Sequence, residues 1–355
     1  MIMLIWKLKI KLMGAYRAQF FILNFVGLLL VPMHLWAQGS LQKAVAEKGD
    51  GIYSLLRRHG VSPTKFYNDF VQLNAMNLGE DETLIMGHSY VLPDTLSNET
   101  IDIKDTRVSY PIFGGDFAKV DSVSNRLDDT VYYLISGHGG PDPGAVEKYN
   151  GKLIAEDEYA YDVTLRLARE LLSHGAEVHI IVQDENDGIR DQRVLELDTD
   201  ETVLSEQIPL GQLARLKQRS EAVNELYLKN RGKYQRLLVT HVDSRSKGTN
   251  IDVFFYHHEK SKNGKRLAES IHQTFLRKYQ KFQPNRIYNG TFMERSSLYM
   301  VKNTLPAMAY IEIGNIKSQK DQRRILDPDN RQALAKWISE GILLDYESSK
   351  TFSAK

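Results

Sequence analysis

Residues 131–145 read VYYLISGHGGPDPGA, and they join a predicted strand to a glycine-rich loop. Its first part, residues 131–136, is a short apolar run rich in β-branched and aromatic side chains, which predicts a buried strand. Its second part surrounds His138 with glycines and two prolines. Little side-chain bulk lies near this imidazole, so the stretch predicts a rigid, open loop that a metal ion or a substrate can approach.

Downstream of this loop, short apolar runs alternate with amphipathic segments. The first amphipathic segment predicts a helix that His174 and Gly175 bring to an end. Such alternation is typical of an α/β fold, a mostly parallel twisted sheet with helices on both faces. The predicted strands are residues 131–136, 177–182, 236–240, 252–256 and 307–313, and the predicted helices are residues 156–173, 215–229, 265–278 and 331–344.

Three residues that can bind a metal ion or carry a proton stand at the downstream ends of predicted strands. His138 follows YYLIS, His241 follows LLVT, and Glu312 lies inside AYIEIG. In an open α/β sheet, ligands bind beyond the carboxyl ends of the strands, so we expect these three side chains to meet at one rim. Glu156, which opens the first predicted helix, is a fourth candidate.

Each of these residues also has an ordinary structural explanation when it is taken alone. Glu156 suits a helix N-terminus, because negative charge there favours the macrodipole. A single His such as His241 is by default a buried structural residue, and Glu312 could belong to a buried ion pair. Together, two histidines and one carboxylate form a recognised catalytic zinc site with an open position for water. Glu312 can then serve as the acid or base beside it.

The composition of the chain excludes several kinds of site and function. The chain has 355 residues, enough for a sizeable catalytic core and a small accessory module. It has no cysteine, which excludes a cysteine nucleophile, disulfides and thiolate-bound metal. No basic patch interleaved with aromatic residues is present, so nucleic-acid binding is not predicted. Any bound metal must therefore use histidines and carboxylates.

Residues 1–37 have the pattern of an export signal. Residues 1–19 carry four basic residues and no acidic residue, and residues 20–35 are largely apolar. Ala37 supplies a small residue at which cleavage can follow. We therefore expect an exported protein of the periplasm or cell envelope that keeps no stable membrane span after cleavage. The alternative is that the segment stays attached as a membrane anchor.

Residues 44–94 have a compact hydrophobic pattern that predicts a small α+β unit with the order strand, helix, helix, strand. This segment resembles a LysM module, the short fold that binds glycans containing N-acetylglucosamine. The alternative is a generic small helical domain. Residues 95–129 are polar and predict a linker that packs partly on the next domain. The residues that carry the LysM resemblance are Gly49, Asp50, Leu73, Asn74, Gly87, Leu92 and Pro93.

Residues 131–346 resemble the zinc-dependent N-acetylmuramoyl-L-alanine amidases, a family that includes the bacterial cell-separation amidases. The resemblance rests on GHGGPDPGA, on Glu156 at the start of its helix, and on THVDS (240–244), LYMVKNTLPAMAYIEIGNI (298–316) and DQRRILDPDNRQALAKWISEGI (321–342). It implies a catalytic domain over residues 130–348 that uses zinc to cleave the bond between N-acetylmuramic acid and L-alanine in peptidoglycan. The implied zinc ligands are His138, Glu156 and His241, the implied catalytic carboxylate is Glu312, and the implied structural residues are Arg219 and Asn224.

The sequence departs from this family in two respects. Asp243, Asn315 and residues 317–318 differ from the family pattern, although none of them is a proposed ligand. Residues 183–210 are acidic and longer than the pattern. We expect this segment to be a surface insertion, with a cleft-lining or autoinhibitory element as the alternatives. A regulatory protein partner is a further expectation.

Two other functions fit parts of the same sequence. A zinc peptidase on a related scaffold would trim the stem peptide instead of releasing it from the sugar. A non-catalytic wall-binding protein would use the LysM-like module and an inactive amidase domain. The complete set of His138, Glu156, His241 and Glu312 favours the amidase.

Overall fold

The computed structural model describes residues 42–95, 108–245 and 249–353. The predicted signal peptide at residues 1–37 and the first part of the predicted linker lie outside these ranges. Among the described residues, no helix combines the length and the apolar character that crossing a membrane requires.

The first described unit has the order strand, helix, helix, strand. Its strands β1 (Lys43–Val45) and β2 (Ser89–Val91) pair antiparallel, and helices α1 (Ile52–Arg58) and α2 (Pro63–Asn74) lie between them in sequence. Asn74 joins the end of α2 to β2, because its side-chain amide donates to the Val91 carbonyl and accepts from the Val91 amide, both at 2.8 Å. A separate small core fills the unit, made of residues that include Leu55, Phe70 and Tyr90.

Residues 108–129, which the sequence predicts as the end of a linker, are packed against the larger domain. Strands β3 (Val108–Ser109) and β4 (Lys119–Val120) pair antiparallel. Phe113, Phe117 and Leu127 are buried in the main hydrophobic core. Burial of aromatic side chains stabilises a segment even when the rest of its residues are polar. This stretch therefore belongs physically to the core that follows it.

Most of the remaining elements build one α/β domain. The strands are β5 (Thr130–Ser136), β6 (Val146–Tyr149), β7 (Lys152–Ala155), β8 (Glu177–Ile180), β9 (Val182–Gln183), β10 (Thr202–Val203), β11 (Glu206–Gln207), β12 (Tyr234–Asp243), β13 (Phe254–His257), β14 (Thr291–Glu294) and β15 (Met308–Asn315). The helices are α3 (Glu156–Ser173), α4 (Gln212–Lys229), α5 (Lys262–Phe282), α6 (Tyr299–Asn303), α7 (Gln319–Leu326) and α8 (Pro328–Ser353).

Within the described residues, the central sheet has six strands in the order β14-β13-β15-β12-β5-β8. The strands β15, β12, β5 and β8 are parallel to one another, whereas β13 pairs antiparallel with β15 and parallel with β14. The prediction of a mostly parallel sheet is confirmed, and β14 is an edge strand that the sequence pattern did not predict. The strands β13 and β14 run antiparallel to the other four strands, which makes the sheet mixed at one side.

Side chains on the two faces of the sheet enter two different cores. On β12, for example, Leu238 and Val242 belong to the core on one face, and Leu237 and Val239 belong to the core on the other face. This alternation follows from the two-residue period of a strand. Helices α3, α5 and α8 contribute to the first core, and α4 and α6 contribute to the second. The helices therefore cover both faces, as predicted.

Candidate metal centre

His138 lies in a loop whose glycines are required by contacts with other side chains of the site. A Cβ atom on Gly137 would come within 2.2 Å of the His241 ring, and one on Gly144 would come within 2.7 Å of the His138 ring. His138 itself has a φ of +63°, in the left-handed region that most side chains disfavour. The glycines thus allow the two imidazoles to approach the backbone closely.

Glu156 begins α3, and its carboxylate lies between the two histidines. Its Oε1 is 2.8 Å from Nδ1 of His241, and its Oε2 is 3.4 Å from Nε2 of His138. Backbone amides also hold the carboxylate, because Val242 donates to Oε1 at 3.0 Å and Ala145 donates to Oε2 at 3.1 Å. The donor atoms of His138, Glu156 and His241 all lie within 4.8 Å of one another. The structure therefore brings together the three residues predicted from sequence.

His241 is held by an aromatic neighbour as well as by Glu156. Its ring stacks on the Tyr310 ring, with centroids 4.7 Å apart and an interplanar angle of 15°. The His138 ring meets the His241 ring edge-on at 5.0 Å. Stacking fixes the plane of the imidazole, and the hydrogen bond to Glu156 fixes its rotation about the Cα–Cβ bond. His241 is therefore presented in one orientation.

Glu312 lies in the same cleft as these three residues. It is 9% exposed, and its Oε2 atom has no hydrogen-bond partner among the described residues. Burial raises the pKa of Glu312 well above its ordinary value, and the negative charges of Glu156 and Asp243 add to this effect. Glu312 is therefore a carboxyl group that holds a proton readily, the property required of a general acid or base near neutral pH.

A cleft of about 300 Å³ joins these groups. Its wall contains both apolar and polar side chains. Its described lining contains no residue of the acidic segment at residues 183–210. The cleft-lining alternative for that segment is therefore not supported. The lining residues are His138, Glu156, Gln212, Leu216, His241, Val242, Asp243, Ser244, Leu298, Tyr299, Met300, Tyr310 and Glu312.

The charges of the site favour a bound cation. Burial works against ionisation of Glu156, but its hydrogen bonds with His138 and His241 hold its pKa well below the ordinary value. Burial likewise works to lower the pKa of His138, yet hydrogen bonds to Asp142 and Glu156 raise that pKa to about 10. Both pKa shifts arise from hydrogen bonds between a carboxylate and an imidazole, at the place where the donor atoms converge. Metal binding replaces protons on such ligands. Two imidazoles and one carboxylate facing an open cleft are a donor set that fits Zn²⁺.

Asp142 is a site residue that sequence reasoning missed. Its Oδ2 atom lies 3.0 Å from Nδ1 of His138, the ring nitrogen that does not face Glu156. Arg215, from the first turn of α4, holds the same Oδ2 atom at 2.7 Å. A carboxylate in this position fixes the orientation of a metal-binding imidazole and its tautomer. The only sequence signal was the Asp between two prolines, which is also typical of a turn.

The two residues predicted to support the fold make backbone contacts near the site. Arg219 donates to the His138 carbonyl at 2.6 Å. Asn224 donates to the Asn303 carbonyl and accepts from the Leu305 amide, so it connects α4 to the chain after α6. Both contacts hold loops in place.

The residues that differ from the family pattern make contacts with other parts of the domain. Asp243 forms an ion pair with Arg245 at 2.5 Å. Asn315 is fully buried, and its side chain donates to the Thr249 carbonyl at 2.8 Å. Ser318 caps α7, since its hydroxyl accepts from the Asp321 amide. None of these three contacts involves the metal centre.

The segment at residues 183–210 packs behind the His138 loop. The Gly140 amide donates to the Glu201 carboxylate at 2.6 Å, and a Cβ on Gly140 would come within 3.0 Å of Ile208. Buried side chains of the segment include Ile189, Leu195 and Val203. Strands β9, β10 and β11 pair antiparallel within and beside it. The segment is thus part of the packed domain and supports the loop that carries His138.

Comparison with known proteins identifies the family of the larger domain. The sequence profile of the family described as N-acetylmuramoyl-L-alanine amidase (Amidase_3) matches residues 133–343. No curated protein sequence is significantly similar to the chain. Similar solved structures include Cwp6 from Clostridium difficile, with 20% identity, 61% of this chain covered and a TM-score of 0.45. The chain covers only 29% of the length of Cwp6.

Two other solved structures are matched over nearly their whole length. The CwlD amidase from Clostridioides difficile, in complex with the GerS lipoprotein, has 19% identity and a TM-score of 0.46, with 62% of this chain and 98% of CwlD covered. The N-acetylmuramoyl-L-alanine amidase AmiC2 of Nostoc punctiforme has 20% identity and a TM-score of 0.43, with 63% of this chain and 99% of AmiC2 covered. The family profile spans more than half of the chain, and the chain belongs to the N-acetylmuramoyl-L-alanine amidase family.

Proposed function

We propose that this chain is a zinc-dependent amidase of peptidoglycan, which hydrolyses the amide bond between N-acetylmuramic acid and L-alanine. One observation carries the proposal. His138, Glu156 and His241 have their donor atoms within 4.8 Å of one another, and they line a cleft that Glu312 also lines. Membership of the amidase family supports the choice of bond.

We assign His138, Glu156 and His241 as the zinc ligands. Zinc held there would polarise the scissile carbonyl and lower the pKa of water. The protein contributes a fixed arrangement of donors. Asp142 orients the ring of His138, and Tyr310 orients the ring of His241. Two backbone amides keep the carboxylate of Glu156 between them.

We assign Glu312 as the group that moves the proton. Its burial and its unpartnered Oε2 atom leave it free to accept a proton from the attacking water and to donate that proton to the leaving nitrogen of L-alanine. A raised pKa helps the second of these steps, because the protonated form is then stable enough to act as an acid.

We propose that residues 44–94 act as a LysM-like module that binds the glycan strand and that the protein works in the periplasm or cell envelope after export. The order of strands and helices and the position of Asn74 at the end of α2 support the first part. The basic and apolar pattern of residues 1–37 supports the second. A regulatory protein partner stays a prediction.

Digestion of whole peptidoglycan sacculi tests the amidase activity. The full chain is stripped of metal and reloaded with Zn²⁺, and the products are analysed by mass spectrometry. We expect glycan strands without peptides and intact stem peptides that begin with L-alanine, released by the zinc-loaded protein alone. Shortened peptides still attached to muramic acid would identify a peptidase instead. Binding to sacculi with no released product would support the wall-binding alternative.

The module is tested separately by calorimetry of the full chain with N-acetylglucosamine oligomers. We expect binding that does not depend on zinc. Absence of binding would contradict the LysM proposal and leave the amidase proposal intact, because the products of sacculus digestion identify the cleaved bond whether or not the module binds.

A further inference from the structure

A second concentration of acidic side chains lies outside the candidate metal centre. It joins the first turn of α3 to the segment at residues 183–210. We call it the acidic cluster. Within the described residues it contains seven carboxylates: Asp157, Glu158, Asp184, Asp187, Asp198, Asp200 and Glu201.

Oxygen atoms of the acidic cluster converge in three overlapping groups. Asp157, Glu158 and Glu201 form one group, in which an oxygen of each residue lies within 4.8 Å of the others. The second group is Asp198, Asp200 and Glu201, and the third is Asp184, Asp187 and Asp198. Because Glu201 and Asp198 each belong to two groups, the three groups are connected into one cluster of seven carboxylates.

The charges of the acidic cluster are only partly compensated. Arg190 forms ion pairs with Glu158, at 2.8 Å, and with Asp187. The Asp198 amide donates to Glu158 at 3.2 Å, and the Gly140 amide donates to Glu201 at 2.6 Å. One guanidinium and a few amides are a small number of donors for seven carboxylates, since each carboxylate can accept about four hydrogen bonds.

Asp157 supplies a second, independent observation. Its side chain is 2% exposed, and its Oδ2 atom has no hydrogen-bond partner among the described residues. The Oδ1 atom of Asp198 is also buried without a partner in this part of the chain. A buried carboxylate oxygen without a partner is costly, so a positive group is expected beside it. No arginine or lysine of the described residues is hydrogen-bonded to Asp157 Oδ2.

We propose that the acidic cluster binds Ca²⁺. Calcium takes six to eight oxygen ligands in flexible geometry, and carboxylates are its usual protein ligands. Magnesium demands near-octahedral geometry and keeps several waters, so a group of many converging carboxylates suits calcium better. The donor set contains no histidine, which separates this site from the candidate zinc centre.

Calcium at this place would fasten the segment at residues 183–210 to the elements that hold the zinc ligands. Asp157 directly follows Glu156 in α3, and Glu201 holds the amide of Gly140, two residues after His138. The ion would thus stabilise both the start of α3 and the His138 loop. Its role is structural, since the cleft contains no member of the acidic cluster.

Calcium binding to the full chain tests the proposal. The protein is loaded with Zn²⁺, and Ca²⁺ is added while the melting temperature and the bound calcium are measured by calorimetry. We expect at least one bound Ca²⁺ per chain and a rise in Tm of roughly 5 °C at saturation. Magnesium at the same concentration should raise Tm by less than half as much. Calcium should bind equally to His241→Ala, because that variant changes only the zinc centre.

The double variant Asp198→Asn with Asp200→Asn is expected to bind Ca²⁺ at least tenfold more weakly. The matched control is Glu185→Gln, an exposed acid of the same segment that belongs to none of the three groups. It should bind Ca²⁺ as the unchanged chain does. The proposal fails if Ca²⁺ changes neither Tm nor the heat signal of the unchanged chain. It also fails if the double variant binds calcium normally.

Discussion

His241 and Glu312 are register partners on the adjacent parallel strands β12 and β15. Register partners on neighbouring strands point to the same face of a sheet. Two residues earlier on each strand, Val239 and Tyr310 are buried in the core on the face that α4 covers. The period of the strands therefore sets the candidate zinc ligand and the candidate proton carrier side by side on that face.

Glu312→Gln should abolish most of the activity without removing the metal. The amide keeps the size of the side chain but cannot accept and return a proton, so kcat should fall by roughly 10² to 10⁴. Dye release from labelled peptidoglycan measures the rate, and elemental analysis measures bound zinc. The matched control is Glu225→Gln, an exposed glutamate of α4, which should leave both values unchanged. Full activity of Glu312→Gln would remove Glu312 from the mechanism.

Asp142→Asn should weaken zinc binding by roughly 10- to 100-fold. The change keeps the shape of the side chain but removes the negative charge that orients His138 and pairs with Arg215. Competition with a chromophoric chelator measures the affinity. Asp129→Asn is the control, because Asp129 is exposed and has a positive φ that Asn also tolerates. Equal affinity in the two variants would show that Asp142 has no part in orienting the ligand.

Gly144→Ala should disrupt the metal centre through a steric contact. The new Cβ would meet the His138 ring at 2.7 Å and Oε2 of Glu156 at 2.9 Å. We expect at least a tenfold loss of zinc affinity, measured by the same competition assay. Gly151→Ala has a similar positive φ, and its Cβ meets nothing within 4 Å, so it reproduces the backbone strain alone. If both variants lose zinc equally, strain and not contact is the cause.

Asp162→Asn should lower stability in a way that depends on pH. Asp162 is fully buried and forms ion pairs with Arg166 at 2.7 Å and Arg331 at 2.6 Å. Burial opposes ionisation, but the two guanidinium groups lower the pKa of Asp162 to about 2. Because the pKa of Asp162 is lower in the folded state, its contribution to the free energy of unfolding is complete above the unfolded pKa of about 4. This contribution is lost as the pH falls through 2.

Urea unfolding at several pH values measures this effect. The contribution of about 2 kcal/mol at pH 7 should fall to about half near pH 3, so the unfolding curves of Asp162→Asn and the unchanged chain should approach each other there. Asp129→Asn again serves as an exposed control. A stability difference that stays constant from pH 7 to pH 3 would contradict the assigned pKa direction.

The sequence predicted five of the six strands of the central sheet and four helices, because their hydrophobic periods are local. His138, His241 and Glu312 could be grouped in advance, since parallel strands end at one rim. Asp142 could not be recognised, because its role depends on how a proline-bounded turn folds back onto His138 and on where Arg215 lies. Such a contact between distant parts of the chain has no periodic signal.

The packing of the segment at residues 183–210 could not be predicted from the sequence either. Its composition predicts an exposed insertion, because carboxylates are rarely buried. The structure instead places Glu201 against the Gly140 amide and buries Leu195 in the main core. A few apolar side chains anchor the segment, and only two of its acidic residues, Asp184 and Glu201, are buried with them.

Side chains alternate between the two faces of the sheet along β15, so the position of Glu312 depends on the correct register of this strand. Ile311 and Ile313 are fully buried on one face, and Glu312 lies between them on the other. A shift of one residue in the register of β15 would move Glu312 into the hydrophobic core and place an isoleucine at the cleft. Misaligned molecules would be both unstable and inert. The activity per mole of protein therefore measures the fraction of correctly folded molecules in a preparation.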